Sequence, residues 1–332
     1  MKKTLVAIAA LAAVSSFAQS TVTLYGIVDA SIGSYKSGKP GTPTYVNQIR
    51  VSDGTAAGLS GSRIGFRVNE DLGGGLKAFA TLEMGALADT GTSAQGASTF
   101  GRQSFVGLGG GFGEIRLGRQ YSAYDDLRGA TDAFGHTSFS PSLFGWDNDA
   151  FDGGSYAGRV SNAIKYNTPS FGGLSAAVQL GFGEDKAVGV SASSTNSLHV
   201  LYANGPVTAG VAYQTQKPTG TGAKQNFLLL AGGYDFGSFK LNAGFNKDTG
   251  AAKANELQLS GTVPIGALSL TAGVARSKAP GDNADTSFGV QGVYALSKRT
   301  SWYAGYRSSK SVDANVVNQK TSHLATGIRH TF

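Results

Sequence analysis

Side chains able to make or break bonds are few in this chain and poorly spaced for it. The four histidines are His136, His199, His323 and His330. A hydrolytic site would need one of them beside a Ser or Asp, with a nucleophile elbow or a paired carboxylate. No such spacing occurs, so no catalytic residue is assigned. The run DNDAFDG at residues 147–153 superficially resembles a calcium loop. Its spacing departs from the EF-hand pattern and no closing Glu follows. It allows at most adventitious Ca²⁺ binding, and no metal site is assigned. Glycine strings such as residues 109–111 precede no helical pattern, so they fit tight turns better than phosphate cradles. The absence of Cys removes disulfides and metal–thiolate sites together. No cofactor is expected.

What remains is fixed charge. Asp125, Asp126, Asp132, Asp147, Asp149 and Asp152 gather in residues 121–161, the longest polar stretch. A connection of that length in a compact domain is usually functional. The formal net charge is +7, with Lys2 and Lys3 contributing two of it. The other basic residues are dispersed among Gly and alternating segments, with no arginine-rich helix or aromatic stacking motif. That dispersion argues against a nucleic-acid partner.

The elements that must position these charges are strands. Side chains alternate faces along a strand with period two, and alternation recurs from end to end. Val22, Leu24, Gly26, Val28, Ala30 and Ile32 share one face, against Thr23, Tyr25, Ile27, Asp29 and Ser31. Leu174, Ala176, Val178, Leu180 and Phe182 oppose Ser175, Ala177 and Gln179. On the polar parity fall Arg63 and Arg67, against Ile64, Phe66 and Val68, then Arg116 and Lys165 further on. Segments of about ten residues, apolar on one side, are the signature of a transmembrane barrel. A soluble sandwich also alternates, but its strands are shorter and its turns more frequent. Only 15% of residues are charged, yet no apolar run past the N-terminus approaches the ~20 residues of a spanning helix.

The connections are of two kinds, in alternation. Short ones fall at residues 71–75, 110–113, 169–173, 204–206, 236–238, 264–267 and 297–299. Longer polar ones fall near residues 36–60, 88–100, 121–161, 185–196, 215–225, 247–254, 276–286 and 308–320. Together they separate sixteen strands in one all-β domain, a 16-stranded antiparallel transmembrane β-barrel. An even count puts both termini on one side, with short turns periplasmic and long loops outside. That strand number leaves an aqueous channel rather than a filled interior. Arg119 alternates outward with Leu117 and Tyr121. A charge facing lipid costs about 2–4 kcal/mol at midplane, so Arg119 is expected near the outer rim or against a neighbouring subunit.

Both ends carry addresses. Residues 1–20, MKKTLVAIAALAAVSSFAQS, place Lys2 and Lys3 before a short apolar run and a small-x-small Ser16-Phe17-Ala18 site. This is a signal peptide, residues 1–18 being removed to leave a barrel of residues 19–332. At the other end Phe332, His330, Ile328, Thr326 and Leu324 form a mostly apolar face ending in an aromatic. Chain ends ordinarily fray, so a terminal Phe on an amphipathic strand suggests a strand pinned into a closed sheet.

The chain resembles the trimeric general porins of Gram-negative, and especially β-proteobacterial, outer membranes. The resemblance rests on TVTLYGIVDASIG, SRIGFRVNEDLGGGLKAFATLE at 62–83, GRQSFVGLGGGFGEIRLGRQ at 101–120, ALSKRTSWYAGY at 295–306 and the terminal GIRHTF. His330 stands where general porins often carry Tyr. The resemblance implies a homotrimer of sixteen-stranded barrels whose third loop folds inward. It implies export to the cell outer membrane and contact with outer-membrane lipid, lipopolysaccharide, periplasmic chaperones and the barrel-assembly machinery, for which Phe332 is the assembly signal. It also implies a constriction between a basic wall (Arg63, Arg67, Arg102, Arg116 and Lys165) and third-loop acids (Asp125, Asp126 and Asp132), Arg102 matching a family position that points into the pore. The bland alternative is that these are solvated lumen charges spread along the barrel. Passive diffusion of small hydrophilic solutes and ions is expected, with modest anion preference. A preferred anionic substrate such as an organic acid or phosphate is the alternative, and an adhesin anchored by its barrel a more distant one.

Overall fold

The computed structural model describes residues 20–332 except 44, 144–155, 221, 251–252, 282 and 314–315; the side chains of 312–313 and 316–318 are likewise not described. The signal peptide at residues 1–18 and the whole calcium-like run 147–153, with Asp147, Asp149 and Asp152, lie outside the described residues.

Among the described residues seventeen strands run in chain order: β1 (Thr21–Gly38), β2 (Val46–Asp53), β3 (Arg63–Gly73), β4 (Leu76–Gly85), β5 (Gln103–Gly110), β6 (Gly113–Tyr121), β7 (Arg159–Asn167), β8 (Leu174–Phe182), β9 (Ser194–Asn204), β10 (Val207–Lys217), β11 (Gln225–Asp235), β12 (Lys240–Asp248), β13 (Asn255–Ile265), β14 (Leu268–Lys278), β15 (Asp285–Ala295), β16 (Thr300–Asp313) and β17 (Val316–Thr331). Two short helices among the described residues, α1 (Gly54–Ala57) and α2 (Ala123–Thr131), interrupt them. β2 pairs with residues 30–37 of β1 and β3 with residues 21–27. The two therefore occupy one position end to end, and the sheet is a closed antiparallel barrel of sixteen positions.

The first long connection thus holds a strand that the alternation pattern did not separate from loop. Asp53 ends that strand and caps α1, its carboxylate accepting from the Thr55 backbone N–H at 2.9 Å. The last long connection, near 308–320, is also mostly strand, with a register shift between Ser311 and Asp313.

The sheet is apolar on its exposed side. Leu24, Val28 and Ile32 are 52%, 49% and 53% exposed, while Asp29 and Ser31 on the alternate parity are 0% and 4%. A globular core would reverse this, so the exterior solvent is hydrocarbon. In hydrocarbon every backbone group must find a partner in the sheet. β17 supplies the last ones by pairing with β1 from Ile27↔Thr331 to Gly38↔Lys320. Beyond that, the Phe332 N–H donates to Gly26 O at 3.1 Å and the Gly26 N–H to Phe332 O at 3.0 Å.

The Phe332 ring lies over Gly26, where a Cβ would collide with its Cζ. The seam is therefore closed by a ring seated on a residue without a side chain. Deleting Phe332, or replacing Gly26 by Val, should lower the yield of folded protein in the outer-membrane fraction and leave misassembled chain in the periplasm. Wild-type membrane levels of both variants would show that the terminal ring is dispensable.

Candidate functional site

The site begins where β6 leaves the wall. Gly118 sits at φ 129, a conformation favouring glycine, and the β6–β7 register shifts between Gly118 and Gln120. The bulge re-aims the residues after it. Tyr121, expected to face outward, instead has its hydroxyl among inward-facing arginines. It accepts from Arg102 Nη2 at 3.1 Å and from Arg159 Nη2 at 3.0 Å, and the Arg159 guanidinium lies 4.7 Å over its ring. Arg119 keeps the outward parity, pairing with Ser104 on the face of Val106 and Leu117. Its guanidinium donates to Gly101 O at 2.7 Å and to Ser161 Oγ at 2.9 Å, which spares a charge from facing hydrocarbon.

Around Tyr121 the cationic groups gather. Arg102 Nε bonds Glu83 Oε1 at 2.8 Å, with both side chains under 8% exposed. Tyr25 donates to the other oxygen of Glu83 at 2.9 Å. Breaking a buried pair of this kind leaves an uncompensated charge and costs about 3–5 kcal/mol. Arg63 feels the charges of Arg102, Glu83 and Arg159, and donates to Gly61 O and Ser60 Oγ. Arg67 stacks 4.0 Å over the Tyr25 ring. Arg63, Arg67 and Arg102 are thus linked through Tyr25, Glu83 and Tyr121. Arg116 belongs elsewhere: it bonds Glu114 at 2.7 Å, Lys77 shares that carboxylate, and the Phe105 ring lies beneath it. Arg159 escapes the alternation pattern because it falls inside the polar stretch 121–161, which hides the start of β7.

The acids do not stand opposite this group unpaired. Lys165 Nζ contacts the Asp126 carboxylate directly and donates to Tyr121 O at 3.1 Å. Asp125 accepts from Tyr156 Oη at 2.6 Å. Asp132 accepts from the backbone N–H groups of Phe134 and His136 at 3.0 and 3.1 Å. All three lie on or just after α2, whose N-cap Ser122 accepts from the Asp125 N–H. Acids in a helix's first turn are favoured there by its dipole, so Asp125 and Asp126 first serve the helix.

From Tyr121 to Leu143 the segment lies against the polar face of the strands. Tyr124 donates to Asn246 Oδ1 at 2.8 Å, Asn242 to Thr131 O at 2.9 Å, and Thr137 to Gln291 Oε1 at 2.7 Å. Glu256 on β13 accepts from Ser142 Oγ at 3.1 Å, from Asn246 Nδ2 at 3.0 Å and from the Leu143 N–H. Leu127 fits against Gly210, and Phe139 against Gly289 and Gly305, where any Cβ would collide with the loop. Burial pushes the phenols of Tyr124 and Tyr156 well up, so both are neutral donors. Burial opposes the charge of Arg128, but Tyr156, Asp132 and Asp125 outweigh it and hold the guanidinium protonated.

The segment is similar to known proteins together with the rest of the chain. The family model described as Gram-negative porin matches residues 4–314. The chain is 33% identical over 366 aligned positions to outer membrane porin protein 32 of Delftia acidovorans, and 30% identical over 391 to an outer membrane porin protein of Bordetella pertussis. Each alignment covers 100% of both chains. The solved anion-selective porin from Comamonas acidovorans superposes with a TM-score of 0.80 at 28% identity, covering 95% of this chain and 100% of that one.

His136 gives the loop a pH dependence. Burial lowers its pKa below the ordinary 6.5, against Asp125 at 4.0 Å and Asp132, and with Arg128 and Arg159. A histidine buried neutral binds its proton more readily when released, so packing weakens as pH falls through about 6.5. Hydrogen-exchange protection of residues 123–137 should therefore drop from pH 8 to pH 5.5. His136→Asn, which suits the local φ of 61, should flatten the drop. Equal slopes in both proteins would remove the imidazole as the cause.

Proposed function

We propose that this chain, which belongs to the Gram-negative porin family and forms a passive channel through the outer membrane, passes anions in preference to cations. The observation that carries this is the clamp at Tyr121. One phenol oxygen holds Arg102 and Arg159 together, with Arg63 beside them, while Asp125, Asp126 and Asp132 are each engaged by groups of their own neighbourhood. Fixed positive charge in a narrow, low-dielectric opening concentrates anions. The structurally similar porin from Comamonas acidovorans is anion-selective, which supports the same direction. The relatives are channels and not enzymes.

In this reading residues 121–161 fold inward as a third-loop constriction, hung from Glu256 and Asn246 on the far wall. Arg63, Arg102 and Arg159 form its basic side, with Lys165 as the loop's tether, Arg67 as a flank and Arg116 below. Guanidinium groups present planar forks suited to carboxylate and phosphate, so an organic acid or phosphate is the favoured cargo class within general diffusion. The working unit is a homotrimer, delivered by removal of residues 1–18 and by chaperones and the barrel-assembly machinery reading Phe332.

Two measurements test this. In planar bilayers Arg63→Gln with Arg159→Gln should move the reversal potential toward cations. The shift should be largest near 0.1 M salt and small near 1 M, as the Debye length falls from ~10 Å to ~3 Å. An unchanged reversal potential at low salt would place the selectivity elsewhere. Extracted without heating, the protein should migrate as a trimer that heating converts to monomer; a monomer by light scattering in mild detergent would remove the trimer.

A further inference from the structure

One buried acid lies outside the Tyr121 clamp. Asp29 sits on the inward parity of β1 at 0% exposure, and both of its carboxylate oxygens are engaged. One accepts from the Leu59 and Ser60 N–H groups at 3.0 and 2.9 Å. The other accepts from the Tyr303 hydroxyl of β16, which passes over Gly327 of β17, where a Cβ would meet it. The Ser62 hydroxyl accepts from the Asp29 N–H at 2.9 Å and donates to the Asp29 carbonyl at 3.2 Å. The turn between β2 and β3, residues 54–61, is thereby drawn onto the inner side of the wall. Asp53 holds its two ends together through the Thr55 and Ser62 N–H groups. Ordering such a turn costs chain entropy, and bonds to a carboxylate are stronger than neutral ones.

The turn touches both sides of the proposed constriction. Its Ser60 Oγ and Gly61 carbonyl are the acceptors for the Arg63 guanidinium, at 2.6 and 3.0 Å. A Cβ on Gly61 would stand 3.5 Å from Arg102 Nη1. Toward the third loop, the Gly58 carbonyl accepts from the Ser138 N–H at 3.1 Å and from its hydroxyl at 3.0 Å. Ala57 and Leu59 form one buried apolar cluster with Phe134, Phe139 and Tyr303. An apolar cluster on the polar side of a barrel wall is built by segments that leave the wall, and this one joins two of them.

We propose that Asp29 is a positioning residue for ion selectivity. Its carboxylate clamps residues 54–61 on the inner wall, and that turn fixes Arg63 and the limb of the third loop around Ser138. The inference rests on the reading of Arg63 as a pore charge. Asp29 lies behind the turn it holds, with three donors on its oxygens, so its own charge matters less to a passing ion than the arginine it places. Loss of the clamp therefore acts with the opposite sign to loss of a negative charge from the lumen. Without Ser60 and Gly61 in place the Arg63 guanidinium spreads over many rotamers, and its field along the ion path falls.

The test is the reversal potential of the full-length protein in planar bilayers near 0.1 M salt, where screening is weak. Asp29→Ala removes both acceptors and should shift the potential toward cations. Asp29→Asn removes the charge alone: its amide oxygen still accepts from the two N–H groups and its NH₂ donates to Tyr303, so it should give no cation-ward shift. Gly58→Ala keeps the charge but drives a Cβ against the Tyr303 hydroxyl and the Asp29 carboxylate, at 2.6 and 2.7 Å. It should shift the potential as Asp29→Ala does, and it carries the test if Asp29→Ala fails to reach the membrane. With Arg63 already replaced by Gln, the cation-ward shifts should shrink or vanish. Hydrogen exchange should show Leu59, Ser60 and Ser138 losing protection together in Asp29→Ala. The sign of the wild-type preference judges the pore reading, and the signs of these shifts judge the clamp, so the two fail separately. Anion-ward shifts in both Asp29→Ala and Asp29→Asn would reduce Asp29 to a lumenal charge and overturn the proposal. Wild-type potentials in Asp29→Ala and Gly58→Ala would do the same, as would a cation-ward shift undiminished by Arg63→Gln. Retained protection of Ser138 would overturn the link to the third loop.

Discussion

Everything in this molecule depends on the backbone ladder between β17 and β1. A sheet edge in hydrocarbon leaves amides and carbonyls with no partner, at several kcal/mol each, so a sheet that does not close does not persist there. Closure has a second effect. It assigns every residue to inside or outside by parity alone, and that assignment places the charges. Asp29, Glu83, Lys165 and Glu256 are buried because parity turns them away from lipid, and once inside they must find partners. The paired state of Arg102 with Glu83 and of Lys165 with Asp126 follows from the same constraint.

The loop adds a second layer of pairing. Its acids are held by its own helix, by Tyr156 and by Lys165, and its contacts reach β12 to β16 through hydrogen bonds to Asn242, Asn246, Glu256, Gln291 and Arg307. Packing matches polar contact: inward glycines at 210, 289 and 305 leave room that Leu127 and Phe139 fill. In the proposed constriction the electrostatic asymmetry therefore comes less from acids facing bases across water than from acids being neutralised locally while Arg63, Arg102 and Arg159 gather around one phenol and one carboxylate.

Period-two alternation made the barrel legible, because in a membrane the pattern is the physics of the fold. It located the turns, the terminal strand and the inward parity of Arg63, Arg67, Arg116 and Lys165. It failed where the period breaks. The bulge at Gly118 turned Tyr121 inward, β2 lay hidden in a polar stretch that pairs only with β1, and Arg159 fell inside an apparent loop. Arg116 was placed by parity, but parity says nothing of height, and Glu114 and Lys77 hold it in a separate group. The partners of Asp125, Asp126 and Asp132 depend on tertiary contacts with Tyr156, Lys165 and Gln258, which no spacing rule encodes.

Tyr121 joins two things usually adjustable apart. Its hydroxyl binds the arginines, while its carbonyl accepts from Lys165 at 3.1 Å and from Gln179 at 3.2 Å, rooting the loop. In the constriction proposed above, the sign of the ions admitted and the width of the opening are therefore anchored to one residue at the seam between strand and loop. Lineages that change one at this position inherit a change in the other. Diversification of such a channel is then easier through the loop's distal packing, where aperture can drift while the charge pattern stays fixed.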